Sequence, residues 1–398
     1  MAYEVLARKW RPQQFDDVVG QDHVTQTLKN AISSNRIHHA YLFVGPRGIG
    51  KTSVARIFAK ALNCLDGGPT ATPCDKCGSC LEIMKGTSLD VLEIDGASNN
   101  GVDQVRELRE TVKFAPTRSK FKLYIIDEVH MLSTAAFNAL LKTLEEPPPH
   151  VKFMFATTEP EKVLATIVSR CQRFDLRRIS VPKIVERLEL IAEADGISAD
   201  SDALLAIARG AEGGLRDAES AFDQLISFKG KEIAEDDVLS VFGLVSRSTL
   251  EQLAEHVLTG DIKGLIGIVG ELDASGKDLR RLVIEIMAHF RNLLICLNVD
   301  DPSENLDLTS EQIATLSAQA KLLRITEVLS ESEDRMRYAL SRRTLLETAL
   351  IRCARAATVV TLEEILVRIN ALKSGDAASI ASKAEARQPA AAPFIAKR

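Results

Sequence analysis

Gly45-Pro46-Arg47-Gly48-Ile49-Gly50-Lys51-Thr52 places three glycines ahead of a lysine and a hydroxyl. The spacing fits G-x-x-x-x-G-K-[ST], a loop whose backbone N–H groups curl around phosphate. Glycine is needed where that backbone turns inward. The chemistry implied is capture of a nucleoside triphosphate. Lys51 would bridge the β- and γ-phosphates and the Thr52 hydroxyl would ligate Mg²⁺. An acidic partner for the cation is expected in the same chain, and Leu123-Tyr-Ile-Ile-Asp-Glu128 supplies it. There an apolar run ends in two acids, with Asp127 suited to the Mg²⁺ shell. Glu128 would orient and deprotonate an attacking water. Thr157 and Thr158 end the next apolar run, where a hydroxyl can hold that water or the γ-phosphate.

Cys64, Cys74, Cys77 and Cys80 form a second constellation. Pro73, Asp75, Gly78 and Ser79 provide the turns that let these thiolates converge. Four soft sulfurs at this spacing suit a closed, structural, tetrahedral Zn²⁺ site. An iron–sulfur cluster and a redox pair are the alternatives. Cys171, Cys296 and Cys353 lie among apolar neighbours and read as buried thiols.

These residues need elements to hold them. Residues 40–44, 91–94, 123–126 and 152–156 are short apolar runs, each ending in glycine, aspartate or threonine. Helical stretches separate them, which predicts a parallel α/β sheet with a ligand at the carboxyl ends of its strands. A helix over 53–62 follows the glycine loop. From about residue 180 the strand-like runs stop. Helices are expected over 181–194, 201–209 and 215–228, and then a separate helical bundle to about residue 372. A long loop is expected around Pro302. After Ser374 the composition is that of an Ala/Pro linker.

The whole chain has 398 residues, enough for two or three domains. Its formal net charge of -5 excludes a uniformly basic coat for nucleic acid. No apolar stretch is long enough to span a bilayer, and the first ten residues lack the h-region of a signal peptide. A cytoplasmic location without membrane contact is the expectation, and disulfides are not expected there.

Together these motifs resemble one family, the bacterial DNA polymerase III gamma/tau subunits, the clamp-loader ATPases of the AAA+ group. The resemblance rests on Leu6-Ala-Arg-Lys-Trp-Arg-Pro12, Phe15-Asp-Asp-Val-Val-Gly-Gln21 and the glycine loop. It rests also on the cysteine cluster just after the loop's helix, and on Asp95-Gly-Ala-Ser-Asn-Asn-Gly-Val-Asp103. Leu141-Lys-Thr-Leu-Glu-Glu-Pro-Pro148, Ser169-Arg170-Cys171 and Gly214-Leu-Arg-Asp217 complete it. It runs from Tyr3 to about Ala371.

The resemblance implies a AAA+ P-loop domain over 1–179 with a zinc module inserted at 64–80. A helical lid over 180–243, an oligomerising helical collar over 244–373 and the linker over 374–398 would follow. It further implies an arginine finger, Arg170, acting in the nucleotide site of a neighbouring subunit. Arg216 would be the lid arginine touching phosphate, and Thr158 the polar sensor of the γ-phosphate. Arg11, Pro12, Val19 and Leu215 would surround adenine. The implied partners are delta, delta-prime, further gamma/tau copies, a sliding clamp and a primed double-stranded/single-stranded DNA junction. The activity implied is hydrolysis of ATP to load that clamp. The helix over 104–112, carrying Arg106 and Arg109, would correspond to those that line a DNA chamber, with an ordinary amphipathic surface helix as the alternative. The chain ends inside the linker and so resembles a gamma-length core, while a longer, tau-length product stays open. Another AAA+ DNA motor, such as a branch-migration helicase, shares the loop and lid but gives no reason for the cysteines. A scaffold that binds ATP without needing its hydrolysis is the rival outside the motors.

Overall fold

The computed structural model describes residues 4–98, 110–298 and 319–358. The expected helix at 104–112 lies almost wholly outside them, as do residues 99–103, the loop around Pro302 and the linker. The chain divides into two compact units, Met1–Phe242 and Gly243–Arg398.

The first unit is built on a five-stranded parallel sheet. Its strands are β1 (Ala40–Val44), β2 (Val91–Asp95), β3 (Lys122–Asp127), β4 (Val151–Thr157) and β5 (Gln172–Asp175), in the order β2-β3-β4-β1-β5. Every residue of β1 and β4 is buried. Strands covered on both faces read as continuous apolar runs, and this is why both were legible in the sequence. Their side chains alternate between two cores. Tyr41 and Phe43 pack with Val54 and Phe58 of the helix Lys51–Asn63. Ala40, Leu42 and Val44 pack on the other face with Phe137 and Leu140 of the helix Thr134–Glu145. The Tyr41 and Phe58 rings meet edge to face at 4.8 Å, the arrangement their quadrupoles favour.

β5 was not anticipated. Its sequence Gln-Arg-Phe-Asp buries only Phe174. As an edge strand with one apolar residue, it carries almost no hydrophobic signal.

The helices Val181–Asp195, Ser201–Gly210 and Leu215–Lys229 follow, within a residue or so of expectation. Pro182 sits in the first turn of the first of these, and Gly196 closes it at φ 66°, the left-handed cap that glycine adopts without strain. Ser198–Ala199 pairs with Glu232–Ile233 in a two-residue parallel ladder. The second unit is helical among its described residues: Arg247–Thr259, Ile262–Ala274, Leu279–Asn298, Gln319–Met336 and Arg342–Thr358. Leu253, Val283, Phe290, Ile325, Leu329 and Leu350 meet in its core. No described helix is long and apolar enough to cross a membrane.

Candidate nucleotide site and four-cysteine centre

The glycine loop leaves the carboxyl end of β1 and runs into the helix Lys51–Asn63. A Cβ on Gly45 would come within 2.6 Å of both Ile49 Cδ1 and the Leu176 carbonyl. Gly48 has φ 78°, and a Cβ there would meet Asp217 Oδ2 at 2.9 Å. A side chain at either position would collide with these neighbours and shift the loop. Lys51 is only 6% exposed. Its Nζ donates to the Gly45 and Pro46 carbonyls at 2.9 and 2.8 Å. Burial holds its pKa below the usual lysine value, against the opposing pull of Glu128 and Asp127.

β3 delivers the acids. Thr52 Oγ1 donates to Asp127 Oδ2 at 2.6 Å, and Asp127 Oδ1 accepts the Glu128 N–H at 2.9 Å. Glu128 itself lies in the left-handed region, φ 43° and ψ 47°, a conformation that non-glycine residues adopt at a cost. Thr158 Oγ1 donates to Glu128 Oε2 at 3.2 Å. Thr157, expected as an alternative hydroxyl for the site, is fully buried. Its Oγ1 pairs with His130 Nδ1 at 3.0 Å and accepts the Glu159 N–H.

His130 is a site residue that the sequence reading missed. Its side chain is 6% exposed, with Nδ1 3.5 Å from Glu128 Oε2 and Nε2 3.2 Å from Glu159 Oε1. The signal available was only its place three residues after Asp127.

Arg11, Pro12, Val19, Arg47, Gly48, Ile49, Gly50, Lys51, Thr52, Asp127, Glu128, Leu215 and Arg216 line one cavity of about 310 Å³. The lid is tied directly to the loop, because the Arg216 N–H donates to the Gly48 carbonyl at 3.1 Å. Glu219 also lines the cavity and was not anticipated, although it lies one helical turn beyond Leu215. It is 5% exposed. Burial raises its pKa to about 7, with Arg187 and Arg11 pulling the other way. The donor set, the glycine cradle and the paired Thr52 and Asp127 oxygens fit a nucleoside triphosphate with a divalent cation.

Arg170 is elsewhere. It donates to Glu145 Oε1 and to the Thr166 carbonyl, both at 2.8 Å. It faces an open hollow shared with His38, His39 and Gln172. His38 and His39 precede β1, and Gln172 opens β5 opposite Tyr41. Arg170 therefore stands at the amino ends of strands whose carboxyl ends hold Lys51. At ~3.3 Å per residue, β1 alone separates the two by about 16 Å. Cys171, expected to be buried, is only partly so at this open rim, whereas Cys296 and Cys353 are buried.

The four clustered cysteines do converge. Their sulfurs all lie within 4.8 Å of one another, against an edge of roughly 3.8 Å for a tetrahedron of 2.3 Å zinc–sulfur bonds. Backbone amides point at three of them. Cys74 N–H donates to Cys64 Sγ, Cys77 N–H to Cys74 Sγ, and Cys80 N–H to Cys77 Sγ, at 3.3 to 3.5 Å. Burial pushes the Cys77 thiol up, but the Cys80 amide and neighbouring groups pull it net down to about 7. The all-thiol donor set and the amide–sulfur bonds fit zinc.

A parallel sheet that carries this loop and these acids at its carboxyl ends, under a helical lid, defines a AAA+ α/β domain. Three family models match in succession. "DNA polymerase III, delta subunit" matches residues 20–180, "DNA polymerase III clamp loader subunit, ATPase lid domain" residues 183–231, and "DNA polymerase III subunits gamma and tau domain III" residues 233–369. The chain is 45% identical over 364 residues to DNA polymerase III subunit tau of Bacillus subtilis, covering 88% of this chain and 63% of that protein. It is 48% identical over 287 residues to the tau subunit of Escherichia coli, covering 72% and 44%. Against DNA polymerase III subunit gamma of Buchnera aphidicola it is 38% identical over 364 residues, covering 88% of this chain and 99% of that one. The chain belongs to the DNA polymerase III gamma/tau family of clamp-loader subunits. It spans less than two thirds of the length of the two tau relatives.

Proposed function

We propose that this chain is an ATP-hydrolysing subunit of a clamp loader that uses ATP to place a sliding clamp on primed DNA. The observation that carries this reading is the single cavity holding Lys51, the Thr52–Asp127 pair, Glu128 and the lid residue Arg216. Lys51 would exchange the loop's carbonyls for phosphate oxygens. Gly45 and Pro46 would shape the loop beneath it, and the N–H groups from Gly48 to Thr52 would face the β-phosphate. Thr52 and Asp127 would hold magnesium, whose contribution there is to neutralise charge on the β- and γ-oxygens. Glu128 would take the proton of the attacking water, with Thr158 positioned to link that carboxylate to the γ-phosphate. Arg11, Pro12, Val19 and Leu215 would enclose the base, and Arg216 would reach phosphate from the lid.

Arg170 would complete a neighbour's site, since it stands at the far end of its own sheet. Cys64, Cys74, Cys77 and Cys80 would hold zinc as a structural crosslink. The partners proposed are delta, delta-prime and further gamma/tau copies, which the helical unit from Gly243 onward would join. The sliding clamp and the primed DNA junction would be the substrates of loading.

The test is the ATPase rate of the assembled complex with and without clamp and primed DNA. Strong stimulation by the two together is expected, lost in Lys51→Ala and in Arg170→Ala. Stimulation by any DNA, indifferent to the clamp, would instead favour a helicase-type motor. An unchanged loading yield in Glu128→Gln would favour a scaffold.

A further inference from the structure

Lys60 is a buried lysine of the first unit, its side chain 2% exposed. It lies on the helix that opens at Lys51 and ends beside Cys64. An ammonium has three hydrogens, and here each has a partner. Nζ donates to the Gln13 carbonyl at 2.7 Å, to Gln13 Oε1 at 3.0 Å and to Asp75 Oδ1 at 2.6 Å. Asp75 stands between Cys74 and Cys77, held at φ 55°. Gln14 reaches the same turn, its Nε2 donating to the Pro73 carbonyl at 2.7 Å and to Asp75 Oδ2. The Gln13 side chain continues the path, with Nε2 donating to the Arg11 carbonyl at 2.9 Å. Arg11 and Pro12 line the nucleotide cavity. An unbroken run of hydrogen bonds thus joins the cysteine turn to one wall of that cavity. It is anchored on a buried charge whose one ion-pair partner among the described residues is Asp75.

We propose that the four-cysteine turn is a positioning element for the nucleotide pocket. Through Asp75, Lys60, Gln13 and Gln14 it holds the Arg11–Pro12 wall in place, so that zinc occupancy and nucleotide affinity are linked. The ligands on either side of Asp75 fix where its carboxylate stands. When the turn opens, Lys60 loses its counter-charge, and a buried cation without a partner draws in water or moves. Gln13 then loses the group that orients its amide, and the Arg11 carbonyl loses its donor. Linkage runs both ways, so bound nucleotide must tighten the hold on zinc by the same factor.

This inference rests on the nucleotide-site reading above, and the experiment separates the two. Affinity for a fluorescent ATP analogue is measured on the zinc-loaded wild-type chain, on the zinc-stripped chain, and on Lys60→Met and Lys51→Ala. Zinc release to a colorimetric chelator is followed in parallel. Lys60→Met, folded and zinc-loaded, is expected to raise Kd by about 10-fold, as is stripping zinc from the wild type. Saturating analogue is expected to slow zinc release in the wild type and not in Lys60→Met. Should Lys60→Met fail to fold, Gln14→Ala removes two bonds from a half-exposed side chain and is expected to raise Kd about 3-fold. A wild-type Kd in folded Lys60→Met, or failing that in Gln14→Ala, overturns the coupling alone. So does an unchanged Kd after zinc removal. Wild-type affinity no better than that of Lys51→Ala overturns the nucleotide reading and the coupling with it.

Discussion

Glu128 holds a backbone conformation that costs on the order of 1–3 kcal/mol for a residue with a Cβ, at φ 43° and ψ 47°. The surrounding contacts hold it there. Its N–H is tied to Asp127, and its carboxylate is met by Thr158 and approached by His130. Such pinning sets where a base can point. Glu128→Gln is expected to lower kcat by roughly 10²–10⁴-fold, the usual worth of a general base, while the Kd for ATP stays near wild type. His130→Ala leaves the proposed base in place but frees its carboxylate, and is expected to cost up to about 10²-fold in kcat. Single-turnover hydrolysis alongside equilibrium nucleotide binding checks both, and a matching rise in Kd would argue against these roles. Asp127 and Glu128 could be read from the sequence because acids after an apolar strand carry a pattern. His130 could not, because its role depends on Thr157 and Glu159, which come near only when β3 and β4 lie side by side.

At the scale of elements, the central strands and the helices after residue 180 were legible because burial on two faces, or at helical spacing, leaves a continuous apolar signature. β5 was not, because an edge strand that buries only Phe174 looks like a loop. The helix Leu215–Lys229 shows the same division. Its start at Gly214-Leu-Arg-Asp217 stood out, while Glu219, one turn on, did not. Its burial has a measurable consequence. The folded chain holds the Glu219 proton up to about pH 7, whereas an unfolded chain releases it near pH ~4.3. The folded state therefore binds the extra proton between those values, and stability from this group falls as pH rises through 7. Glu219→Gln removes that dependence. Its melting temperature relative to wild type is expected to climb between pH 5 and pH 8, and thermal melts across that range check it. A constant difference would mean that Glu219 does not titrate there.

At the scale of the molecule, the units carry their own cores, those on the two faces of the sheet in the first and that around Phe290 in the second. The cysteine centre belongs wholly to the first. Stripping zinc is expected to lower the melting transition of the first unit by about 5 °C or more and to leave the second within about 1 °C. Calorimetry with and without ATP assigns the two, since nucleotide raises only the transition of the unit that binds it. A shift of both transitions together would show one cooperative molecule.

The opposition of Lys51 and Arg170 across the sheet sets an arithmetic. On the proposed role of Arg170, each copy contributes one half to the junction on either side, so complete sites are counted in junctions and not in chains. A head-to-tail row that stays open has one junction fewer than it has members, and a closed ring has as many. The copy at one end of an open row would hold nucleotide that it cannot hydrolyse quickly, and the copy at the other end would carry an arginine with nothing to act on. Such a row has an inherent direction, and adding or losing a terminal member changes its capacity for turnover by one whole unit.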